Sequence, residues 1–353
     1  LRKRVLRWIA DSMWGQGRYF DERPLRTELL ALADNGRNDL GYRIALYNLG
    51  ENSRFLGLYR EAERGFRRLL ELSREAEDPA RESLAGMSLG LLAIDARDDS
   101  ALNLLEAAAA AAARARRPRL EAHAEMLAGM ALIRAGRHEE ARARLLATLA
   151  HPGCDQAELR FRTQIYLADA ERLCGDETSA LERYERILAA AAEMELPEEE
   201  RDALMGLAAL QRARGGLEAA TDTARRAVAL VESMRSSIPE FSDRTHFLQM
   251  RSNTYRILAA SLADRDPSDL TEPFAVVERA HARTLREMLF RKSVLVVSDE
   301  TLSLSELQRR LEPGDLLVEF LLGEEESSLL AIDAGRATFH ALPPRREVEG
   351  RIE

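Results

Sequence analysis

Two sets of small residues recur along the chain with one spacing, and this feature constrains the fold more than any other. The first set is separated by 40, 39, 39 and 40 residues and comprises Gly50, Gly90, Gly129, Ala168 and Ala208. The second is separated by 39, 40, 39 and 40 residues and comprises Ala62, Ala101, Ala141, Ala180 and Ala220. Two ladders in step over five units indicate a repeat array, in which neighbouring units stack and share a core.

A polar turn with a glycine separates the two ladders in four of the five units. The glycines are Gly57, Gly136, Gly175 and Gly215. Glycine ends a helix cheaply because it adopts the left-handed conformation. The second unit lacks this glycine and reads Arg97-Asp-Asp-Ser-Ala101. Each unit is therefore predicted to be a helical hairpin, and its leucines to form the core: Leu46, Leu49, Leu69 and Leu70 in one unit and Leu127, Leu132, Leu145 and Leu146 in another.

Composition supports helices and excludes several classes of function. The chain has 353 residues, with 51 Lys and Arg against 60 Asp and Glu, so its net charge is −9. An anionic chain is poorly suited to sequence-independent nucleic-acid binding, which requires phosphate neutralisation. No apolar run approaches the ~18 residues of a membrane span. We therefore expect no nucleic-acid partner, no membrane span and no cofactor.

The two cysteines and the first residues bear on the compartment. Cys154 and Cys174 belong to no CxxC motif, so neither a metal site nor a disulfide framework is predicted. A reducing, cytoplasmic location fits this usage. The first residues show neither an initiator methionine nor a signal-peptide pattern, so the chain is expected to begin inside a longer protein.

The first full unit resembles the tetratricopeptide repeat family. The resemblance rests on Ala45-Leu-Tyr-Asn-Leu-Gly50, on Gly57-Leu-Tyr-Arg-Glu-Ala62 and on Phe66. It extends over residues 40–236, although the usual repeat is shorter, at roughly 34 residues. The resemblance implies a mainly α, superhelical array of helical hairpins with a concave inner face lined by the first helices.

The family's register implies a peptide-binding inner face. Its side chains are Tyr47, Glu51, Arg54, Met126, Met130, Arg134, Ile165, Asp169, Arg172, Met205 and Arg212. A row of guanidinium groups suits carboxylates or backbone carbonyls of an extended peptide, and methionines give adaptable apolar contacts. The alternative is that these arginines only pair with acids of adjacent units. A protein or peptide partner is expected, and the oligomeric state stays open.

The sequence changes character after residue 292. A β-branched run, Val294 to Val297, precedes a capping box with Ser303 as N-cap and Glu306 at N3. Three strands are predicted, over 316–322, 328–332 and 337–342, separated by turn-forming residues. The predicted regions are N-terminal capping helices (1–39), the array (40–242), a last helical pair with a linking helix (243–291) and a short α/β segment (292–353).

This C-terminal layout resembles the opening of a CHAT domain, the caspase-like domain that often follows tetratricopeptide arrays. The resemblance rests on the helix over 273–289, the segment 303–320 and the meander 321–333. It implies a cysteine-protease fold whose His–Cys dyad lies on later strands, and no residue of this chain is assigned to that dyad. His151 with Cys154 is interpreted as structural, because nearness in sequence is not dyad geometry. Cys174 is interpreted as a small buried thiol, and His340 as an exposed or edge side chain of a predicted strand.

Three hypotheses on function follow. The first is the regulatory scaffold of a protein whose downstream domain is a caspase-like cysteine protease. The second is a stand-alone adaptor that binds a peptide or assembles a complex without catalysis. The third is a catalytically inactive CHAT-like domain that serves dimerisation. Whether the protein is an enzyme is left open, because this chain carries no recognisable catalytic residue.

Overall fold

The chain folds into successive α-helices followed by a small sheet. The computed structural model describes residues 2–16, 18–34, 38–236, 238, 247–248, 251–280, 303–323 and 325–349. Its first helices are α1 (Arg2–Gly15), α2 (Tyr19–Ala33), α3 (Leu40–Phe55), α4 (Tyr59–Glu75), α5 (Pro79–Ala96), α6 (Ala101–Arg114), α7 (Pro118–Arg134), α8 (His138–Ala150), α9 (Ala157–Leu173) and α10 (Glu177–Glu193).

The remaining elements include the only strands among the described residues. They are α11 (Pro197–Ala213), α12 (Leu217–Ser236), α13 (Ser252–Arg265), α14 (Leu304–Arg310), β1 (Leu317–Leu321), β2 (Ser327–Ile332), β3 (Ala337–Leu342) and α15 (Arg345–Glu349). Residues 271–280 are also helical. The chain divides into two compact units, residues 1–183 and 184–353. The domain boundaries drawn from the sequence stay predictions.

The turn glycines inside the hairpins adopt the predicted left-handed conformation. Gly57, Gly136, Gly175 and Gly215 all have positive φ, between 72° and 85°. In the second unit Arg97 ends α5 in the left-handed conformation with φ 56°. A non-glycine residue therefore adopts the glycine conformation there, at a cost of roughly 1 kcal/mol.

The glycines of the first ladder allow the two helices of a hairpin to approach closely. A Cβ atom on Gly50 would lie 2.6 Å from the ring of Phe66, and one on Gly129 would lie 2.6 Å from Leu145. Gly90 and Leu105 form the same contact in the second unit. The large residue stands four positions after the alanine of the second ladder. One side chain in each of these hairpins thus fills the space that a missing methyl group leaves.

The core of residues 1–183 follows the predicted leucines, with one correction. Five of the eight are buried: Leu46, Leu69, Leu127, Leu132 and Leu145. Leu49 and Leu70 are half-buried. Leu146 was predicted to be buried, but 48% of it is exposed. Successive residues of a helix differ by about 100° in direction, so the inward orientation of Leu145 turns its neighbour to solvent.

The C-terminal sheet confirms the three predicted strands within one residue at each end. Its order is β1-β2-β3, and both pairs are antiparallel, with Phe320 opposite Leu329 and Leu330 opposite Phe339. One face packs on the helices of residues 184–353, where Leu330 and Ile332 join one core with Val231 and Leu258. The predicted capping box at Ser303 and Glu306 is also present. Thus α13, β1 and β2 belong to one packed unit.

Parts of the sequence prediction lie outside the described residues. The linking helix predicted over 273–289 is described, and helical, only as far as residue 280. The β-branched run from Val294 to Val297 is not among the described residues.

Candidate peptide-binding face of the first helices

The first helix of the first full unit presents three polar side chains at helical spacing. Tyr47, Glu51 and Arg54 lie on one face of α3, because residues four and three apart are neighbours on a helix. Arg54 Nη2 donates to Glu51 Oε2 at 2.9 Å. The guanidinium also stacks on Phe55, with its Cζ 4.6 Å from the ring centroid. Two protein contacts therefore fix this arginine.

The polar cluster on α3 extends to the next hairpin. Ser88 on α5 donates to the second carboxylate oxygen of Glu51, at 2.7 Å. Burial raises the pKa of the Tyr47 hydroxyl, and the Glu51 charge raises it further. Ser88 was not predicted from the sequence. It stands two residues before Gly90, and no pattern within its own unit distinguishes it from other buried serines.

The third unit differs from the register predicted for the inner face. Met126 is fully buried in the core of residues 1–183, so its thioether is not accessible to a ligand. Met130 is partly buried at the edge of the same core. Arg134 is exposed, but it stands five residues after Gly129, whereas Arg54 stands four after Gly50. Ile133 occupies the position equivalent to Arg54, so Arg134 is displaced from the row.

The fourth unit repeats the arrangement of the first. Asp169 and Arg172 on α9 are three residues apart, like Glu51 and Arg54, and Arg172 Nη2 lies 3.9 Å from Asp169 Oδ1. Ile165 is buried. We call Tyr47, Glu51, Arg54, Met130, Asp169 and Arg172 the first-helix face.

A buried histidine that was not among the predicted site residues lies on α7. Burial, assisted by the Arg162 guanidinium on α9, lowers the pKa of His123 to about 4. The imidazole is therefore neutral at pH 7. His123 and Arg162 stand at equivalent positions of their repeats, six residues before Gly129 and Ala168. This shared repeat position could have been used to predict from the sequence that the two side chains are neighbours.

In the fifth unit, within residues 184–353, the arginine of the predicted inner face binds carboxylates of the chain. Arg212 bonds to Asp264 on α13 and to Glu326 in the β1–β2 connection, where Nη2 donates to Glu326 Oε1 at 3.2 Å. Burial alone would lower the pKa of the Arg212 guanidinium. The hydrogen bonds to Glu326 and Asp264 have the larger effect, so the pKa is raised above its ordinary value. Buried Arg256 lies 3.6 Å from the same Glu326.

Met205 contacts α13 in the same unit. The Met205 sulfur lies 3.1 Å from Thr254 Oγ1 and 3.1 Å from Arg201 Nη1. Met205 and Arg212 are the two residues of the predicted inner face that lie within residues 184–353. Both of them contact other residues of this chain.

The cysteines and histidines weighed as catalytic candidates have other contacts. The buried Cys154 sulfur lies 3.8 Å from Thr163 Oγ1. His151 Nδ1 accepts from the Gly153 amide at 3.1 Å. Burial raises the pKa of the Cys174 thiol, and Glu139 raises it further, so the thiol form is favoured over the reactive thiolate. No group of His, Cys, Asp and Glu within the described ranges has the arrangement of a metal site.

The comparisons with known proteins identify the fold. No protein-family model and no curated protein match the sequence. Among solved structures, the apo form of RapI aligns with a TM-score of 0.58 and 11% identity, covering 83% of this chain and all of that one. A signal-transduction ATPase with a tetratricopeptide repeat sensor, PH0952 from Pyrococcus horikoshii, aligns with a TM-score of 0.50 and 16% identity. That alignment covers 82% of this chain and 44% of the ATPase.

These structures define the class of fold. The chain is a tetratricopeptide-like α-solenoid of helical hairpins with a small three-stranded sheet at its C-terminal end. At these identities the likeness concerns the fold alone. Among the helices that the structure describes, none is long and apolar enough to cross a membrane.

Proposed function

We propose that the chain is a protein-interaction scaffold and that its first-helix face binds an extended segment of a partner. The acid and the arginine of each pair offer an acceptor and a donor one helical turn apart. An extended backbone presents N–H and C=O groups that suit such pairs, and an acidic side chain suits the guanidinium. The pairs Glu51–Arg54 and Asp169–Arg172 supply this chemistry at equivalent positions of two units.

One observation carries the proposal. In the fifth unit, Arg212 stands where Arg54 and Arg172 stand in theirs, and it binds the carboxylate of Glu326, a residue outside the repeats. This repeat position is thus able to hold an acidic group from a non-repeat segment. The name of one structural neighbour agrees with a binding role, because it describes a tetratricopeptide repeat sensor in a signal-transduction protein.

The test is partner recovery with a matched control. Tagged wild-type chain, the double variant Arg54→Ala/Arg172→Ala and the control Arg67→Ala/Arg142→Ala are used to recover partners from extract of the source cells. The control removes two second-helix arginines that also pair with acids of their own helix. We expect a partner that the wild type and control recover and that the first-helix variant loses. Equal recovery by all three folded proteins would contradict the proposal.

We also propose that the C-terminal sheet begins a larger α/β domain of the CHAT type, which the array positions. The outer face of β1 is apolar and open, since Val318 and Phe320 are 36% and 48% exposed. A strand with an apolar face in water is typical of an incomplete layer. A caspase-like protease activity of that domain is the finer form of this proposal.

This second proposal is tested on a chain extended by its native downstream residues. A thiol-directed covalent probe of caspase-like proteases is expected to label one cysteine in the added part. A stable extended chain in which Phe320 becomes protected but no cysteine reacts would support an inactive domain instead. An extended chain in which Phe320 stays exposed would contradict the domain itself and leave the adaptor hypothesis.

A further inference from the structure

A groove in the N-terminal helices forms a second candidate binding surface. Side chains of α1, α2 and α3 surround a cavity of about 290 Å³. Leu29 and Ile44 contribute to its apolar lining, and Lys3, Arg7 and Arg26 contribute cations. Its volume lies near the lower end of the ~300–1,000 Å³ of ligand pockets, which is room for one or two apolar side chains.

The cations at the rim have no acidic partner among the described residues. Lys3 and Arg7 are exposed and stand four residues apart, on one face of α1. Their neighbour Arg2, by contrast, pairs with Glu28. A charge of this kind, left without a counter-charge in a chain of net charge −9, favours an anionic partner.

Arg26 at the base of the groove is fixed by the protein and keeps a spare donor. It is 5% exposed, bonds to Glu22, and has Nη2 2.9 Å from Asp11. Its Nη1 has no hydrogen-bond partner in the part of the chain that the structure describes. Asp39 is the acid in the lining, and its carboxylate accepts from the Tyr42 amide at the start of α3. The lining therefore carries an excess of positive charge.

We infer that this groove binds an acidic protein segment with an apolar anchor. The anchor occupies the cavity against Leu29 and Ile44, and flanking carboxylates bind Lys3 and Arg7. The apolar cavity favours such a segment over a lipid surface, although Trp8 is also exposed on α1. The inference does not rest on the proposed function, because no residue of the first-helix face lines the groove.

The first test uses short synthetic peptides on an array. Each peptide has one leucine or phenylalanine and two or three glutamates at varied spacing, with glutamine-for-glutamate and serine-for-anchor versions beside it. We expect binding only when both the anchor and the acids are present. The variant Lys3→Glu/Arg7→Glu should weaken the best peptide about tenfold at low salt, since two ion pairs are reversed.

The matched control is Arg60→Glu/Arg160→Glu. These two exposed arginines also lie near the starts of helices, α4 and α9, and have no acidic partner among the described residues. A third variant, Leu40→Glu, places an acid at an exposed position of the groove lining and should weaken binding as well. Equal weakening by the control, or no peptide that binds below about 1 mM, would overturn the inference.

A chemical test makes the result independent of charge-reversed variants. The chain has only two lysines, Lys3 and Lys292. A carbodiimide should couple the carboxylates of the best peptide to Lys3, and Lys3→Arg should abolish coupling at that position while affinity is kept. Coupling at Lys292 instead would overturn the inference. So would binding to vesicles of anionic lipid that the peptide does not displace.

Discussion

Glycine, which has a hydrogen atom where alanine has a methyl group, sets the distance between the two helices in several hairpins. Gly129 receives the side chain of Leu145, and Gly50 receives the ring of Phe66. The large residue and the glycine are on different helices, so each contact also fixes the axial register of the hairpin. Such interdigitation gives protein cores their density.

Gly129→Ala should lower the free energy of unfolding by about 1–3 kcal/mol, because the added methyl group overlaps Leu145. The control is Gly65→Ala in α4, where a Cβ would have its nearest neighbour at an ordinary 3.8 Å. That change should stabilise by roughly 0.5–1 kcal/mol through helix propensity. Urea unfolding measures the change in the free energy of unfolding for both variants. If the two substitutions changed it in the same direction, the proposed packing role of Gly129 would be contradicted.

His123 should make the protein sensitive to mild acid. The imidazole has a pKa of about 4 when folded and about 6.5 when unfolded. Between these values the unfolded chain binds the extra proton, so stability is full above pH 6.5 and falls as the pH approaches 4. His123→Gln should therefore lose less stability on acidification, by about 1–3 kcal/mol. Unfolding midpoints at neutral and acidic pH that shift equally in both proteins would refute this.

At the scale of the elements, the hairpin turns differ in one unit. Arg97 adopts the conformation that glycine adopts in the other four. Arg97→Gly should stabilise the chain by about 0.5–1 kcal/mol, and Gly136→Ala should destabilise it by about 1 kcal/mol. Thermal unfolding of the two variants should give shifts of opposite sign. Destabilisation by Arg97→Gly would show that its side-chain contacts outweigh the backbone cost.

The contact of Arg212 with Glu326 should stabilise the packing of the sheet connection in residues 184–353. A double-mutant cycle with Arg212→Ala and Glu326→Ala should give a coupling of about 1–3 kcal/mol, because the pair is partly buried and doubly hydrogen-bonded. The more exposed pair Arg225–Glu272 should couple by about 0.2–1 kcal/mol. Equal coupling in the two cycles would argue against a specific role for Glu326.

At the scale of the molecule, period and turn chemistry predicted the hairpins, the three strands and the capping box. These features depend on residues close in sequence. The candidate site was predicted less well, because side-chain partners come from distant segments. Arg212 binds Glu326, 114 residues away, and Met126 turns into the core, whereas Met130, one turn later, stays partly open. A repeat register places a residue on a face, but neighbouring helices decide whether that face is free.

We propose that the partner contacts the first-helix face and not the second helices. Site-specific photo-crosslinking measures this directly, with the crosslinking amino acid at Met130 on α7 or at exposed Leu146 on α8, together with the partner recovered by the wild-type chain. We expect crosslinks to the partner from position 130 and none from position 146. Crosslinks from position 146 alone would contradict the proposed binding face.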